Sequence, residues 1–297
     1  MARARVGWVR GRAATSVRRA LQRIEGRPGT RDVRARAPSG RARRTGSVAR
    51  ARVLSPAAVA ARIVLDADGR APVPTPSHPP FRMICSLVGV FPSGTMRGTG
   101  WLVGSNAIVT AGHCLLDPGS GEWAESVIAR PGRSPDDSEP FGSFSVRTED
   151  LHVPDRWKAS FDEAWDIGVL IVNERTNDGE VIGDALGAFA VASASDEQLH
   201  RHEVEVAGYP TDRAGGKQLV RAKGSIEVVG TNFLVHDVDT YGGESGSPLV
   251  ASFDGTEVPT VWGVHLGDDT VSGGAGRRNA ALRMRPELVS LIREIAS

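Results

Sequence analysis

The stretch from Thr240 to Leu249, Thr-Tyr-Gly-Gly-Glu-Ser-Gly-Ser-Pro-Leu, constrains what this chain can fold into more than any other. It places one serine, Ser245, among glycines just before an apolar run. Backbone without Cβ reaches conformations closed to other residues, so such a turn can aim two N–H groups at one point; here they belong to Gly243 and Ser245. A serine hydroxyl at that point becomes a nucleophile only when a base takes its proton. The usual base is a histidine oriented by a buried carboxylate, and both must come from elsewhere in the chain. A fold that satisfies this turn therefore brings distant segments together.

Two segments supply the missing groups. Val109-Thr-Ala-Gly-His113-Cys114 ends an apolar run on a histidine, and Trp165-Asp166-Ile-Gly-Val-Leu-Ile-Val172 opens one on an aspartate. Taken singly, His113 reads as a turn histidine, Asp166 as a cap at a strand start, and Ser245 as a turn serine with Ser247 as rival nucleophile. Together, in the order His, Asp, Ser, they resemble the chymotrypsin-like serine endopeptidases, whose signatures are T-A-x-H-C, D-[IL]-A-[VL] and G-[DN]-S-G. The resemblance runs over roughly residues 63–297. It implies a catalytic triad of His113, Asp166 and Ser245 with an oxyanion hole from Gly243 and Ser245, acting on polypeptide substrates without metal or organic cofactor. Two positions depart from the pattern: Gly168, where alanine is usual, and Glu244, where aspartate or asparagine is common.

Composition agrees with a turn-rich β protein. The 297 residues are 40% hydrophobic and include 35 glycines, enough for one large or two small cores. The net charge of +1 hides an uneven balance, because residues 1–53 hold sixteen arginines against Glu25 and Asp32. That arginine-rich segment has no apolar period and reads as disordered, a propeptide or extension; a tether to nucleic acid or membrane is the weaker alternative. No apolar run is long enough to span a bilayer. No signal peptide is legible at the N-terminus, where Arg10 and Arg12 interrupt the short run Val6–Val9; the resemblance alone favours secretion.

After a proline-rich linker, short strands bounded by turn signals recur about every eight to twelve residues. The expected strands are Met83–Phe91, Thr99–Gly104, Ala107–Thr110, Val127–Pro131, Phe144–Leu151 and Ile167–Val172, then Val204–Gly208, Leu219–Val229, Phe233–His236, Pro248–Phe253, Val258–His265 and Ala280–Arg283. Apolar residues at 288, 291, 292 and 295 give Glu287–Ala296 a helical period. Residues 184–192 are ambiguous. The expected fold is all-β: two antiparallel six-stranded barrels, about 81–172 and 203–285, a closing helix at 287–296, and an extension over 1–62. A monomer is expected.

His265 narrows the resemblance to the bacterial glutamyl endopeptidases, in which a G-[IV]-H segment after the nucleophile is followed by N-x-A-[VLT]-R. This chain has Gly263-Val-His265 and Asn279-Ala-Ala-Leu-Arg283. The likeness implies that His265 and Thr240, five residues before the nucleophile, bind a substrate glutamate, with a protonated His265 binding it better; Asp268 near the pocket departs from the pattern. Ile63-Val-Leu-Asp-Ala-Asp-Gly-Arg70 is similar to the start of the mature enzymes, which implies processing after Arg62 and a new ammonium at Ile63 that reaches the pocket or Glu244. Cys85 and Cys114 allow one bridge, worth roughly 3–4 kcal/mol for a loop of about thirty residues, or two buried thiols. The family partner of Cys114 would stand at Gly98. His200 and His202 lack a third metal ligand and read as loop residues; His78, His152 and His236 have no legible role. The rival to an enzyme is a protease-fold binding module with a misformed cleft.

Overall fold

The computed structural model describes residues 6–11, 67–200, 202–255, 258–268 and 278–296. Two mainly antiparallel sheets form the framework. The first contains β1 (Trp8–Arg10), β3 (Ile84–Phe91), β4 (Gly94–Val103), β5 (Ala107–Thr110), β6 (Ser126–Pro131), β7 (Phe144–Arg147), β8 (Leu151–Pro154) and β9 (Gly168–Ile171), in the order β1-β8-β9-β5-β4-β3-β6-β7. The second contains β2 (Ala71–Pro72), β10 (Ala190–Val191), β11 (Val204–Gly208), β12 (Val220–Gly224), β13 (Ile226–Val229), β14 (Phe233–His236), β15 (Pro248–Val250), β16 (Thr260–Asp268) and β17 (Asn279–Arg283), in the order β13-β14-β17-β16-β15-β11-β12-β2, with β10 parallel to β16. Four short helices complete the described chain: α1 (Asp155–Ser160), α2 (Ile182–Leu186), α3 (Asp196–His200) and α4 (Pro286–Ala296).

β5, β11 and β14 match the expected bounds. Other elements differ for local reasons. The run expected over Phe144–Leu151 breaks into β7 and β8 because Thr148–Asp150 forms a 3₁₀ turn, its Thr148 hydroxyl bonded to the Ala124 and Glu125 carbonyls. Leu219–Val229 divides into β12 and β13 at Gly224, where a Cβ would lie 2.4 Å from Asp237 Oδ1. Residues 184–192 resolve into the end of α2, a turn and β10. The sheets hold eight and nine strands instead of six each, since one expected run is split in each sheet, β1 and β2 each add an edge, and β10 joins β16. α4 buries Leu288, Leu291 and Ile292 of the stripe its period predicts, with Val289 beside them, and leaves Ile295 partly buried.

Two edge strands come from unexpected places. Val6–Gly11, inside the arginine-rich segment read as unstructured, pairs along β8 in the register Trp8↔Pro154, Val9↔Val153 and Arg10↔His152. Trp8 Nε1–H donates to the Leu291 carbonyl of α4 at 2.9 Å. At the other sheet, β2 pairs with Val220 and Arg221 of β12 and is extended by Val73 N–H to Leu219 O at 2.9 Å. This contact lays the segment after residue 67 against the second sheet.

Candidate active site

His113 and Asp166 meet because of a strand register. β5 and β9 are antiparallel neighbours with Thr110 opposite Gly168, so the chain leaving β5 passes the chain entering β9. His113 lies in the 3₁₀ turn Gly112–Cys114 and Asp166 directly after the 3₁₀ turn Glu163–Trp165. The aspartate makes two bonds to the histidine: Oδ1 accepts the His113 backbone N–H at 2.8 Å, and Oδ2 accepts Nδ1–H at 2.7 Å. Gly112 permits this approach, since a Cβ there would lie 3.0 Å from Asp166 Oδ1 and 3.1 Å from Ile167 N. Gly168 is explained as well. A methyl at that position would lie 2.6 Å from Leu115 Cδ1, so Leu115 fills the space of the usual alanine.

The serine loop of the second sheet is fastened to the first. Thr99 N–H donates to Ser245 O at 2.9 Å, and Thr99 Oγ1 donates to Gly243 O at 2.9 Å while accepting the Tyr209 N–H at 3.0 Å. Gly246, at φ +91°, fits where a Cβ would lie 2.2 Å from both Thr110 Oγ1 and Thr99 O. From the other side Gly246 N–H donates to His265 O and His265 N–H to Ser247 O, which holds β16 against the loop. Among the described residues the N–H groups of Gly243 and Ser245 have no protein acceptor. The Gly242 carbonyl accepts Thr211 N–H at 2.7 Å, so the trans Gly242–Gly243 peptide points its N–H the opposite way. Ser245 Oγ donates to Leu266 O at 3.1 Å, and buried His113 Nε2 has no partner.

Charge sets the state of each group. Burial alone would lower the His113 pKa, but the Asp166 carboxylate, with Cys114 beside the ring, raises it well above 6.5. His265 behaves oppositely. Burial, then His236 and His113 nearby, drive its pKa well below 6.5, so it is a neutral imidazole and the protonated form expected from the sequence is disfavoured. His236, to which the sequence assigns no role, lies with Nε2 at 3.3 Å from His265 Nδ1 and its own Nδ1 buried without a partner. An orphaned buried N–H costs more than an orphaned lone pair. His236 therefore carries its hydrogen on Nε2 and donates to His265 Nδ1, which leaves the His265 hydrogen on Nε2. Thr240 is buried in the strand-like approach to the loop, and burial raises the pKa of Asp268.

The activation role expected of Ile63 lies outside the described residues. At the Glu244 end stands a residue the sequence did not single out, Arg70, whose side chain is 2% exposed. Cys85 and Cys114 are buried free thiols, and the bridge left open by the sequence is not made. Cys85 faces Gly100 across the β3–β4 ladder, whereas Cys114 Sγ packs where a Gly98 Cβ would be, 2.9 Å away. No group of three or more His, Cys, Asp or Glu side chains suited to a metal ion occurs among the described residues.

Residues 98–258 match the trypsin-like peptidase domain. The chain belongs to that family. Among its relatives, the glutamyl endopeptidase of Bacillus licheniformis is 32% identical over 186 residues, 63% of this chain and 54% of that protein. The extracellular metalloprotease of Bacillus subtilis is 29% identical over 195 residues, 65% of this chain and 59% of that protein. This trypsin-like peptidase domain thus spans little more than half the length of the curated relatives it matches. A solved structure of a Glu endopeptidase in complex with MPD superposes with a TM-score of 0.66 at 23% identity, over 79% of this chain and 99% of that one, a likeness of fold.

Proposed function

We propose that this chain is a serine endopeptidase whose nucleophile is Ser245, whose general base is His113 and whose orienting carboxylate is Asp166. The observation that carries the reading is the pair of bonds from Asp166 to the backbone and ring of His113. They fix Nδ1 as a protonated nitrogen and leave Nε2 without a protein partner, so that it is the nitrogen that takes the proton once the ring is neutral. Ser245 Oγ attacks the substrate carbonyl as Nε2 takes its proton. The N–H groups of Gly243 and Ser245 stabilise the oxyanion, the imidazolium protonates the leaving amine, and water releases the acyl group by the reverse sequence. No step needs a metal or organic cofactor. The hydrogen bond from Ser245 Oγ to Leu266 O is the resting arrangement, and a χ1 rotation turns the hydroxyl toward the base as substrate enters; catalytic bonds commonly tighten only in the complex.

We further propose a preference for glutamate before the scissile bond. His265 Nε2–H and the Thr240 hydroxyl are two donors on elements that flank Ser245, and the glutamyl endopeptidase relatives support the choice. The His236–His265 contact makes recognition a matter of a neutral donor, so binding does not require an imidazolium. The peptidase unit is read as residues 63–297 and residues 1–62 as an extension. A fluorophosphonate probe tests the activity: wild type should be labelled and Ser245→Ala should not, whereas labelling lost only in Ser247→Ala would reassign the nucleophile. A cleavage profile on a denatured protein mixture tests the preference, and one dominated by basic or large apolar residues would remove it.

An inactive binding module is the second reading, and one observation favours it: Ser245 Oγ is bonded away from His113. Failure of the wild type to label, with tight binding of unfolded polypeptide, would select it.

A further inference from the structure

Arg70 is a buried cation paired with two carboxylates, Asp68 and Asp212, and set beside a third acidic side chain, Glu244. Its Nε and Nη2 donate to Asp68 Oδ1 and Oδ2, each at 2.9 Å, and Nη1 and Nη2 donate to Asp212 Oδ1 and Oδ2 at 3.0 and 2.7 Å. Nη1 also lies 3.9 Å from Glu244 Oε2, and the guanidinium stands 5.5 Å from the centre of the Tyr241 ring. Arg213 shares Asp68, at 2.6 Å. The two-residue edge strand that follows, β2, is exposed on both residues, so anchoring it does not account for a bidentate pair on each side of a buried guanidinium.

The segments gripped by Arg70 are those that orient one peptide. Asp212 adjoins Thr211, whose N–H holds the Gly242 carbonyl at 2.7 Å. Tyr241 and Glu244 bracket the Gly242–Gly243 peptide and are themselves joined twice, by Tyr241 N–H to Glu244 Oε2 at 2.8 Å and Glu244 N–H to Tyr241 O at 3.1 Å. We infer that Arg70 is a positioning residue: by clamping the 211–212 turn against the 241–244 turn it keeps the Gly242–Gly243 peptide oriented with the Gly243 N–H free for an oxyanion. The charge that does this belongs to a side chain and is present without any cut at Arg62. The catalytic consequence rests on the peptidase reading above; the conformational one does not.

The test uses the full chain with Arg70→Met and Arg70→Lys, measuring hydrogen exchange of the Thr211 amide, turnover on a peptide substrate, and fluorophosphonate labelling. Arg70→Met should raise Thr211 exchange on the order of tenfold or more while β4 and β5 stay protected. Loss of an oxyanion donor lowers kcat by about 10²–10³, so kcat should fall by that order with KM within about threefold. Arg70→Lys should recover part of both, because lysine keeps the charge and loses the fork geometry. Wild-type Thr211 exchange and wild-type kcat in a folded Arg70→Met protein would overturn the inference. If Arg70→Met does not fold, Asp212→Asn, which keeps the side-chain shape, is read by the same two measures and with the same criteria. A wild type that fails to label while Arg70→Met still loosens Thr211 would uphold the positioning role and overturn the peptidase reading.

Discussion

Glu244 Oε2 accepts the Tyr241 N–H at 2.8 Å and lies 3.9 Å from Arg70 Nη1, so the residue before the nucleophile is buried beside a cation already matched by Asp68 and Asp212. Burial pushes the Glu244 pKa up to about 8, against the opposing pull of the Tyr241 N–H and Arg70. The protonated carboxyl is thus the form the fold prefers. The stability this gives is fully present below the unfolded value of 4.5 and is lost as pH rises through about 8. Glu244→Gln keeps an acceptor for Tyr241 N–H and removes the titration. Its melting temperature should be close to wild type near pH 4 and clearly exceed it at pH 8, for a difference on the order of 4 kcal/mol. Parallel Tm–pH curves for the two proteins would show that Glu244 does not titrate this way.

His113 must be neutral to accept a proton, and Asp166 raises its pKa well above 6.5 despite burial. The acid limb of the kcat/KM profile is therefore expected above that value, with activity increasing into the alkaline range. An NMR titration of the ring in wild type and Asp166→Asn gives the second check. With the carboxylate gone and burial unchanged, the His113 midpoint should fall. A limb at or below 6.5 in the wild type would contradict this assignment of the charge.

Asp166 uses both oxygens as acceptors, one for the His113 backbone N–H and one for Nδ1–H, and asparagine can offer only one. If its oxygen keeps the backbone bond, its amide faces Nδ1 and forces the hydrogen onto Nε2, where the base is blocked. Asp166→Asn should therefore retain a wild-type Tm within a few degrees and lose about 10⁴ in kcat. Ser245→Ala and His113→Ala should lose at least as much, and the double variant little more than the worse single one, because the three residues act as a unit. Additive losses in the double variant would break that unit.

The candidate site was legible because each proposed member ends or begins an apolar run, and a strand register then fixes where two of those ends meet: Thr110 opposite Gly168 brings His113 to Asp166. Fold class was readable for the same reason, from short apolar segments punctuated by glycine. What escaped the sequence depends on partners far away in the chain. Arg70 looks like any linker arginine until Asp212 and Glu244 surround it, and His236 is one more strand residue until β14 places it beside His265 through β17. Gly168 looked like a departure from a pattern, and only the position of Leu115 explains it. The strand Trp8–Arg10 has too few residues to show a period, and its composition is that of its arginine-rich surroundings.

That strand leads to the last prediction. β8 would be a sheet edge without β1, and exposed edges leave unpaired N–H and C=O groups. Gly11 N–H donates to Leu151 O at 2.8 Å, Asp155 N–H to Gly7 O at 2.9 Å, and Trp8 Nε1–H to Leu291 O in α4 at 2.9 Å. The segment so ties the β8 edge to the closing helix, and β8 is the neighbour of β9, the strand that begins just after Asp166. Deleting residues 1–11 should lower Tm by several degrees and speed amide exchange in β8, while β11 and β15 in the other sheet keep wild-type protection. Trp8→Phe, which preserves most of the ring packing and removes one hydrogen bond worth about 1 kcal/mol, should cost less than Trp8→Ala. Because Asp166 is held through β9, the deletion should reduce kcat severalfold with KM unchanged. Unaltered Tm and β8 exchange after the deletion would show that the strand contributes nothing to the fold.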